Sequence, residues 1–598
     1  MNLTSSEKCQ AAEKLIQKGR FEDAGFLLDQ VLESHPGNTS ALIAKSALQL
    51  KAGHVAEAKQ LLQVAYQVTP DDPVILTNMA NLALFENRVP DALEHLQTVV
   101  GQSPEHLPAK LLLGQIHLQR GDLGDARTWL RRAAALGPED PDVLVALASL
   151  ALAHQNITEA AALLDKALEC APDHERVLST LAQVRALTGD FDAAATLAAK
   201  AHLEAPQDPD VAVTLARVYL ASGALGEAQK LMERFKLRFP DFAPVVLCAA
   251  EVSIARGKIA EALADTARWL RNAPKESGRV AGFLKVLKKA GAWQQLLDLS
   301  DKLSPELAGS GPVQSLREEA LHALGRSREG WASWAARRKL PEKSPEPPLL
   351  VGLPPRTPLL DQLVLMRFVN AWAAEGAVEL IGHTPVADVW GRIAAGDAVS
   401  WQSRADRQVE LPADLAARTV LYASEKAAFA PYMTPDPERR ALWDGALPQD
   451  GRPRVGVFWD ARAPGLLIDH LREVFDDVPV HAISLQFDDS RHQLRAWPAA
   501  FDAGKVLENT GDLVNLIDCL DLVVGPDGLP LHIAGGLGKS GIALLQENHE
   551  WYWAGQQARS NWYPSIDRIV SPVGPDWSAG KNALREILAQ RVQDPKVR

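Results

Sequence analysis

The chain has 598 residues, which is too long for a single hydrophobic core and predicts several domains. Hydrophobic residues make up 47% and charged residues 23%, the balance of a folded protein, so wholesale disorder is excluded. The net charge of −12 argues against a protein whose main partner is a nucleic acid. The four cysteines lie far apart without a CxxC pair, so neither a zinc ribbon nor a disulfide framework is expected.

The first residues, MNLTSSEKCQAAEK, lack the basic region followed by an apolar region that marks a secretory signal peptide. The chain also contains no run of about 18 apolar residues, the length that a membrane-spanning helix needs. We therefore expect a cytoplasmic protein that does not insert into a membrane.

A period of 34 residues organises the first half, where proline occurs at positions 36, 70, 104, 138, 172, 206, 240 and 274. A second series, mostly glycine, runs midway between the prolines from Gly19 to Gly325, and alanine recurs from Ala24 to Ala262. Glycine permits a tight turn, alanine lets two helices approach closely, and proline ends the second helix. These series predict a tetratricopeptide (TPR) array of eight clear repeats at residues 5–276. The degraded pattern at 277–340 predicts degenerate or capping helices.

A TPR array presents a groove that usually binds a segment of a partner protein. The ninth position of each repeat and its neighbours are predicted to line this groove with amide and apolar side chains, which suit an amphipathic helix. The alternative is that the polar residues only form a solvated inner face. The groove residues that we select are Asn78, Asn81, Phe85, Gln115, Gln183 and Arg217.

Residues 341–358 are rich in proline and are predicted to be a linker. Beyond it, short apolar runs alternate with helical stretches, which is typical of doubly wound α/β domains. We expect two Rossmann-like lobes facing a cleft, at 359–445 and 452–598. In the first lobe, LVLMRFVNAWAAEGA (363–377) is predicted to be a helix that leads to the strand VELIGH (378–383), and RTVLYAS (418–424) is predicted to be another strand. The strands predicted in the second lobe include RVGVFWD (454–460), VHAISLQ (480–486), KVLENT (505–510) and DLVVG (521–525), and DLVNLIDCL is predicted to be a helix with Asp512 as its N-cap.

The segment GPDGLPLHIAGGLGKSG (525–541) is the best candidate for a ligand site. In α/β sheets, ligands bind at the carboxyl ends of strands, where helix N-termini attract phosphate. Gly528 has no side chain, so a diphosphate is expected to approach the backbone there, beside Asp527 and His532. GLGKS is not a P-loop because Ile533 occupies a required glycine position, and the two D-x-D strings sit in loops between repeats. No metal site is expected.

The stretches VGVFWD, ISLQ, LIDCLDLVVGPDGLPLHIAGGLGK, EWYW and NWYPS occur in an order and spacing that resemble a known family. The family is that of bacterial TPR proteins with a C-terminal glycosyltransferase domain of the GT-B fold, similar to the heptosyltransferase (family 9) group. The resemblance implies a nucleotide-sugar donor, bound without a metal in the second lobe. The donor would be held by Trp459, Arg462, Gln486, Asp527, Gly528, His532 and Glu550. LDQLVLMRF (360–368) looks like the start of the first lobe and makes Asp361 the candidate catalytic base.

These expectations combine into a protein O-glycosyltransferase whose TPR groove captures an acceptor protein and whose cleft modifies a Ser or Thr of it. The resemblance implies a CMP-linked nonulosonic acid, such as pseudaminic acid, as donor and flagellin as acceptor, with no cofactor besides the donor substrate. Departures from the family pattern include the loss of a basic loop after VGVFWD. They support an alternative, a TPR interaction scaffold or chaperone with a catalytically inactive GT-B-like domain. A lipid-linked sugar acceptor is disfavoured, because the sequence shows no membrane-facing apolar or basic surface.

Overall fold

The computed structural model describes residues 4–17, 20–51, 54–86, 88–120, 122–154, 156–338, 349–352, 378–382, 399–403, 431–460, 465–487, 489–507, 509–553, 558–560, 562–574 and 576–593. The chain divides into two compact units, Met1–Val252 and Ser253–Arg598, and each is described by itself. Among the described helices, none is long and apolar enough to cross a membrane.

The first unit consists of α-helices whose alternate members start at residues 5, 39, 73, 107, 141, 175, 209 and 243, at the predicted interval of 34. Each repeat is therefore a pair of helices joined by a short turn. The helices are α1 (Ser5–Gln17), α2 (Phe21–Ser34), α3 (Thr39–Lys51), α4 (Val55–Val68), α5 (Pro73–Phe85), α6 (Val89–Gln102), α7 (Leu107–Arg120), α8 (Leu123–Leu136), α9 (Pro141–Ala153), α10 (Ile157–Cys170), α11 (Glu175–Leu187), α12 (Phe191–Glu204), α13 (Pro209–Ala221), α14 (Leu225–Arg238) and α15 (Ala243–Ala255), which begins in this unit.

The periodic residues have the structural roles that the sequence predicts. Asp-Pro pairs start several of the first helices, and the side chains of Asp72, Asp140 and Asp208 cap them by accepting hydrogen bonds from backbone N–H groups. The alanine series sits where helices meet and leaves no room for a larger side chain. Its fully buried members in this unit are Ala24, Ala58, Ala92, Ala126, Ala160, Ala194 and Ala228.

The second unit begins with the continuation of the helical array. Its helices are α16 (Ile259–Asn272), α17 (Ser277–Lys289), α18 (Trp293–Asp301), α19 (Pro305–Ala308), α20 (Gly311–Ala323) and α21 (Ser327–Arg338). The starts of α17 and α20 are again 34 residues apart, as are those of α18 and α21. Residues 277–338 therefore keep the repeat register, with a shortened α18 and the one-turn helix α19 in place of a full second helix.

A three-stranded parallel sheet follows, with strands β1 (Leu349–Gly352), β2 (Val378–Gly382) and β3 (Val399–Ser403) in the order β1-β2-β3. Strand β2 confirms a strand that the apolar run VELIGH predicts. Strand β1 lies inside 341–358, so the prediction that this whole segment is a linker was wrong. Among the described strands, β1 pairs only with β2 and so lies at an edge of the sheet, where neighbouring prolines are tolerated; this is why the proline content misled the prediction. The predicted helix 363–377 and strand 418–424 lie outside the described residues.

The last part of the chain forms a six-stranded parallel sheet. Its strands are β4 (Arg454–Val457), β5 (His481–Ser484), β6 (Phe501–Asp502), β7 (Leu522–Gly525), β8 (Gly541–Gln546) and β9 (Ile566–Ser571). Its helices are α22 (Pro437–Ala446), α23 (Ile468–Phe475), α24 (Thr510–Asp518), α25 (Leu529–Leu537) and α26 (Ser578–Gln593). The strand order β6-β5-β4-β7-β8-β9 reverses direction between β4 and β7, as in doubly wound nucleotide-binding folds.

Two local predictions in this sheet were wrong. KVLENT (505–510) is not a strand, because the third strand is the short β6, a 3₁₀ turn covers Ala503–Lys505, and α24 already begins at Thr510. Asp512 is not the N-cap of α24, because the side chain of Asn509 accepts the hydrogen bond from the Asp512 N–H at 2.9 Å. The carboxylate of Asp512 is buried instead and accepts hydrogen bonds from Arg439 and Trp443 of α22.

Candidate functional site

The candidate site lies at the carboxyl edge of the six-stranded sheet, where the strand order reverses. Strands β4 and β7 are hydrogen-bonded neighbours in parallel register, so the residues that follow them meet at this edge. Asp460 follows β4, and Asp527 follows β7. Gln486 and Glu550 follow β5 and β8, the strands that pair with β4 and β7 on either side. The sheet thus brings together four polar side chains that are far apart in the sequence.

Asp527 and His532 form the centre of a hydrogen-bonded cluster. The Nε2 atom of His532 lies 3.2 Å from Oδ1 of Asp527, and the hydroxyl of Tyr552 donates to Oδ2 at 3.0 Å. On the other side of the ring, Nδ1 of His532 lies 3.0 Å from the hydroxyl of Tyr563. The ring also packs against Tyr552, Trp553 and Tyr563 at centroid distances of 5.0–5.5 Å. The two residues that the sequence analysis selected in this segment are thus in contact with each other.

Asp527 is held as a carboxylate. Burial opposes its ionisation, but the hydrogen bond and the charge of His532 outweigh this and lower the pKa of Asp527 below its ordinary value. The Tyr552 hydroxyl acts in the same direction. The buried Trp553 Nε1 makes no hydrogen bond of ordinary geometry with the described residues, yet it also favours the ionised carboxylate and lowers the pKa of Asp527. A quarter of the Asp527 side chain is exposed, so this negative charge faces the edge of the sheet.

His532 lies behind Asp527 and cannot contact a ligand in this arrangement. Its side chain has no exposed surface, and both ring nitrogens have partners within the protein. The expectation that His532 holds the donor directly is therefore replaced by a different role. His532 orients and stabilises the Asp527 carboxylate, so it would influence a ligand only through Asp527.

The bare face of Gly528 is occupied by a neighbouring ring. A Cβ atom on Gly528 would lie 2.7 Å from Phe458, and one on Gly525 would lie 2.3 Å from the same ring. The glycines therefore make room for Phe458, and that side of Gly528 is not an open cradle for a diphosphate. The helix α25 that begins after Gly528 also has a proline, Pro530, in its first turn, which removes one N–H donor.

Asp460 is a site residue that the sequence analysis did not select. Its backbone N–H donates to the Leu466 carbonyl and its Oδ2 accepts from the Leu466 N–H, both at 2.7 Å, so the backbone of Leu466 fixes the carboxylate. Burial raises the pKa of Asp460 to about 6; the Leu466 hydrogen bond opposes this, and the negative charge of Asp527 adds to it. The sequence feature that could have identified Asp460 is its place at the end of a predicted buried strand, RVGVFWD.

Trp459 and Gln486 are buried and bonded to each other rather than open to a ligand. The backbone N–H of Trp459 donates to Oε1 of Gln486 at 3.2 Å, while Nε2 of Gln486 donates to Oγ of Ser490 at 2.6 Å. The Trp459 indole donates to Oε1 of Gln493 at 2.9 Å. Trp459 and Gln486, which were predicted to contact the nucleotide-sugar donor, therefore join the ends of β4 and β5 to each other.

Glu550 is the fourth side chain at this edge, and it is partly exposed. Burial raises its pKa, the positive charge of Lys288 opposes this, and the negative charges of Glu319 and Asp527 add to it. Lys288 Nζ lies 3.9 Å from the Glu550 carboxylate. Two further predicted residues, Asp361 and Arg462, lie outside the described residues. No cluster of three or more His, Cys, Asp or Glu side chains suited to a metal ion occurs in the described part of the chain.

The predicted groove residues lie on the first helices of the repeats. Successive first helices contact each other, for example α9 with α11 and α11 with α13. Gln183 on α11 is exposed and donates to Thr214 of α13 at 3.3 Å, so the ninth position lies at this helix–helix seam. Arg217 is exposed as well, and Asn78, Asn81 and Gln115 are partly exposed. The side chain of Phe85 lies outside the described part of the structure.

Comparisons with known proteins identify the helical array. One tetratricopeptide repeat model matches residues 77–141, and a second matches 15–82, 130–184 and 186–247. No curated protein matches the sequence. A TPR protein of Thermus thermophilus is 24% identical over 30% of this chain and 99% of its own, with a TM-score of 0.28. A TPR protein of Parabacteroides merdae is 18% identical over 42% of this chain and 98% of its own, with a TM-score of 0.31.

The pilF protein of Pseudomonas aeruginosa is also similar, at 19% identity over 34% of this chain and 92% of its own, with a TM-score of 0.26. The family matches agree with the 34-residue spacing of the helix pairs and with the buried alanine series. The matched ranges end at residue 247, so they concern the first unit. The chain therefore contains an array of TPR repeats, which indicates a protein that binds other proteins.

Proposed function

We propose that the chain is a protein O-glycosyltransferase, in which the TPR repeats bind an acceptor protein and the carboxyl edge of the six-stranded sheet carries out the transfer. The observation that carries this proposal is the pair of carboxylates, Asp460 and Asp527, at the point where the strand order reverses. The pKa of Asp460 is raised to about 6 while that of Asp527 is lowered. Two carboxyl groups whose environments drive their pKa values apart are typical of acid–base chemistry.

Asp460 is suited to be the general base. With a pKa of about 6 it is mostly ionised at neutral pH and still basic enough to accept a proton. In the proposed step, a serine or threonine hydroxyl of the acceptor loses its proton to Asp460, and its oxygen bonds to the anomeric carbon of the sugar. The bond from that carbon to the phosphate oxygen breaks, and the nucleotide leaves with the electron pair. Asp527 stays ionised and stabilises the positive charge that develops on the sugar ring.

The repeats contribute by raising the local concentration of the acceptor. A segment held in the TPR groove encounters the site as an intramolecular partner, at an effective concentration in the millimolar range for a short flexible connection. Following the family resemblance, the donor in this proposal is a CMP-linked nonulosonic acid and the acceptor is flagellin. The GT-B fold belongs to the same proposal, with the six-stranded sheet as its donor lobe and no metal required.

A second candidate is a TPR scaffold whose C-terminal domain no longer catalyses transfer. The observations that favour it are the two features that reduce phosphate binding next to Asp527. Phe458 fills the bare side of Gly528, and Pro530 removes an N–H from the start of α25. In this alternative, the Asp527–His532 cluster serves only to stabilise the domain.

Mass spectrometry of the bound partner distinguishes the two candidates. The partner is captured on the full-length chain from cells that express the wild type, Asp460→Asn, or the control Asp476→Asn, which removes an exposed carboxylate on the opposite end of α23 from Asp460. A sugar-sized mass that is present with the wild type and the control, and is lost with Asp460→Asn, supports the transferase. Transfer with purified protein is expected to persist in EDTA. An unmodified partner that still binds in all three cases establishes the scaffold.

A further inference from the structure

The turn of the ninth repeat, between α17 and α18, contacts the segment that follows β8. The indole Nε1 of Trp293 donates to the Glu547 carbonyl at 3.3 Å. In the reverse direction, the Asn548 side chain donates to the Lys289 carbonyl at 3.0 Å. Two hydrogen bonds between a helical turn and a strand end therefore join parts of the chain that are more than 250 residues apart, at separations of 254 and 259.

This contact requires a glycine at position 291, in the turn between α17 and α18. Gly291 has a φ of +70°, and a Cβ atom there would lie 2.8 Å from the carbonyl carbon and oxygen of Glu547. Gly325, at the matching position of the next repeat, has a φ of +77°, and none of the described residues has an atom within 4 Å of such a Cβ. Gly257, one repeat earlier, lies against Gly574 after β9. Two successive repeat turns thus line the carboxyl ends of β8 and β9.

The contacted segment leads directly to the candidate site. We call residues 547–553 the site segment. It contains Glu550, which lies 3.9 Å from Lys288 of the ninth repeat, and Tyr552, whose hydroxyl donates to Asp527 at 3.0 Å. Helix α20 of the tenth repeat packs against the 3₁₀ turn Trp551–Trp553 from another side. A continuous series of contacts therefore runs from the ninth repeat to the Asp527 carboxylate.

We propose that the turn of the ninth repeat, residues 288–293, is a positioning element of the site: it fixes the site segment so that Tyr552 and Glu550 are held beside Asp527. The last repeats are then part of the body that carries the chemistry, and not only a cap on the TPR array. The consequence for transfer rests on the proposed function, whereas the consequence for the order of the site segment does not.

The test compares Gly291→Ala with Gly325→Ala in the full-length chain. Both substitutions place a side chain at a positive φ, so their backbone strain is matched, and only Gly291→Ala drives a Cβ into Glu547. Hydrogen–deuterium exchange with mass spectrometry is measured for peptides that cover residues 547–553. Loss of two hydrogen bonds predicts exchange about tenfold faster in Gly291→Ala, and no change in Gly325→Ala. Asn548→Ala, which removes one hydrogen bond without adding bulk, is expected to give about a threefold increase.

Transfer assays then separate the two proposals. If the wild type transfers sugar, Gly291→Ala is expected to lower kcat while the KM for the acceptor protein stays within about twofold, because the repeats of the first unit are unchanged. Faster exchange in Gly291→Ala together with an inactive wild type would support the positioning role and refute the transferase. Exchange that is equal in Gly291→Ala and Gly325→Ala, with Asn548→Ala unchanged, overturns the positioning role whatever the activity.

Discussion

Replacing Asp460 with asparagine is expected to stabilise the second unit in a way that depends on pH. In the wild type, the pKa of Asp460 is raised from 3.8 to about 6, so the folded state binds this proton more tightly than the unfolded state. The tighter proton binding contributes to the free energy of unfolding. This contribution is fully present below pH 3.8 and is lost as the pH rises through 6. The loss amounts to about 3 kcal/mol, from about 1.4 kcal/mol for each tenfold change in proton affinity.

Asparagine keeps the shape of the neutral side chain and can still accept the Leu466 N–H. The gain in the free energy of unfolding of Asp460→Asn over the wild type is therefore expected to be near zero at pH 4 and to reach about 3 kcal/mol at pH 7.5. Urea unfolding followed by tryptophan fluorescence suits this measurement, because Trp129 is the only one of the 15 tryptophans that lies before residue 253. Asp476→Asn serves as the control for the change in net charge and is expected to show no such trend.

Two results would refute the reasoning on Asp460. A difference between the variant and the wild type that is the same from pH 4 to pH 7.5 would show that the carboxyl does not titrate in this window. A loss of stability in Asp460→Asn at pH 7.5 would show that the ionised carboxylate makes favourable contacts in the folded protein. Either result would also remove the electrostatic basis for treating Asp460 as a base tuned to neutral pH.

Three further substitutions test the packing and the hydrogen bonds. Gly114→Ala places a Cβ 2.5 Å from Leu130 in the first unit and is expected to lower stability by about 1–3 kcal/mol, measured by calorimetry. Tyr563→Phe removes the hydroxyl from His532 and is expected to cost about 1–2 kcal/mol in urea unfolding. Asp140→Ala removes an N-cap and is expected to cost about 1 kcal/mol, seen as faster amide exchange in the first turn of α9 and not elsewhere.

The repeat array could be predicted from the sequence because its determinants are local and recur. Each helix pair is specified by a turn residue, a small contact residue and a helix stop within 34 residues, and the helix starts keep this interval to residue 311. Local sequence patterns, here short apolar runs, also predicted β4, β5 and β7 as buried strands. They failed at β6, where the strand has only two residues, a 3₁₀ turn covers Ala503–Lys505, and the apolar Val506 and Leu507 follow that turn.

The site was harder to predict because it is formed by tertiary contacts. The sequence motif drew attention to Asp527, but it gave no indication that His532 is enclosed by Tyr552 and Tyr563. Gly528 looked like an open cradle, since the sequence does not show that Phe458 packs across it. Asp460 was missed because only the pairing of β4 with β7 brings its carboxyl under the influence of the Asp527 charge.

The arrangement around Asp527 explains why the two functional candidates lead to different expectations for the same residues. A cluster that only stabilises the domain gains most when every buried charge in it is paired and hydrogen-bonded, because a buried charge without a compensating partner is costly. Asp460 departs from this pattern, since burial raises its pKa and the negative charge of Asp527 at the same edge raises it further. Placing two carboxyl groups at one edge costs stability, and such a cost is typical of sites where the pair performs chemistry. This electrostatic cost is the reason why we propose the transferase ahead of the scaffold.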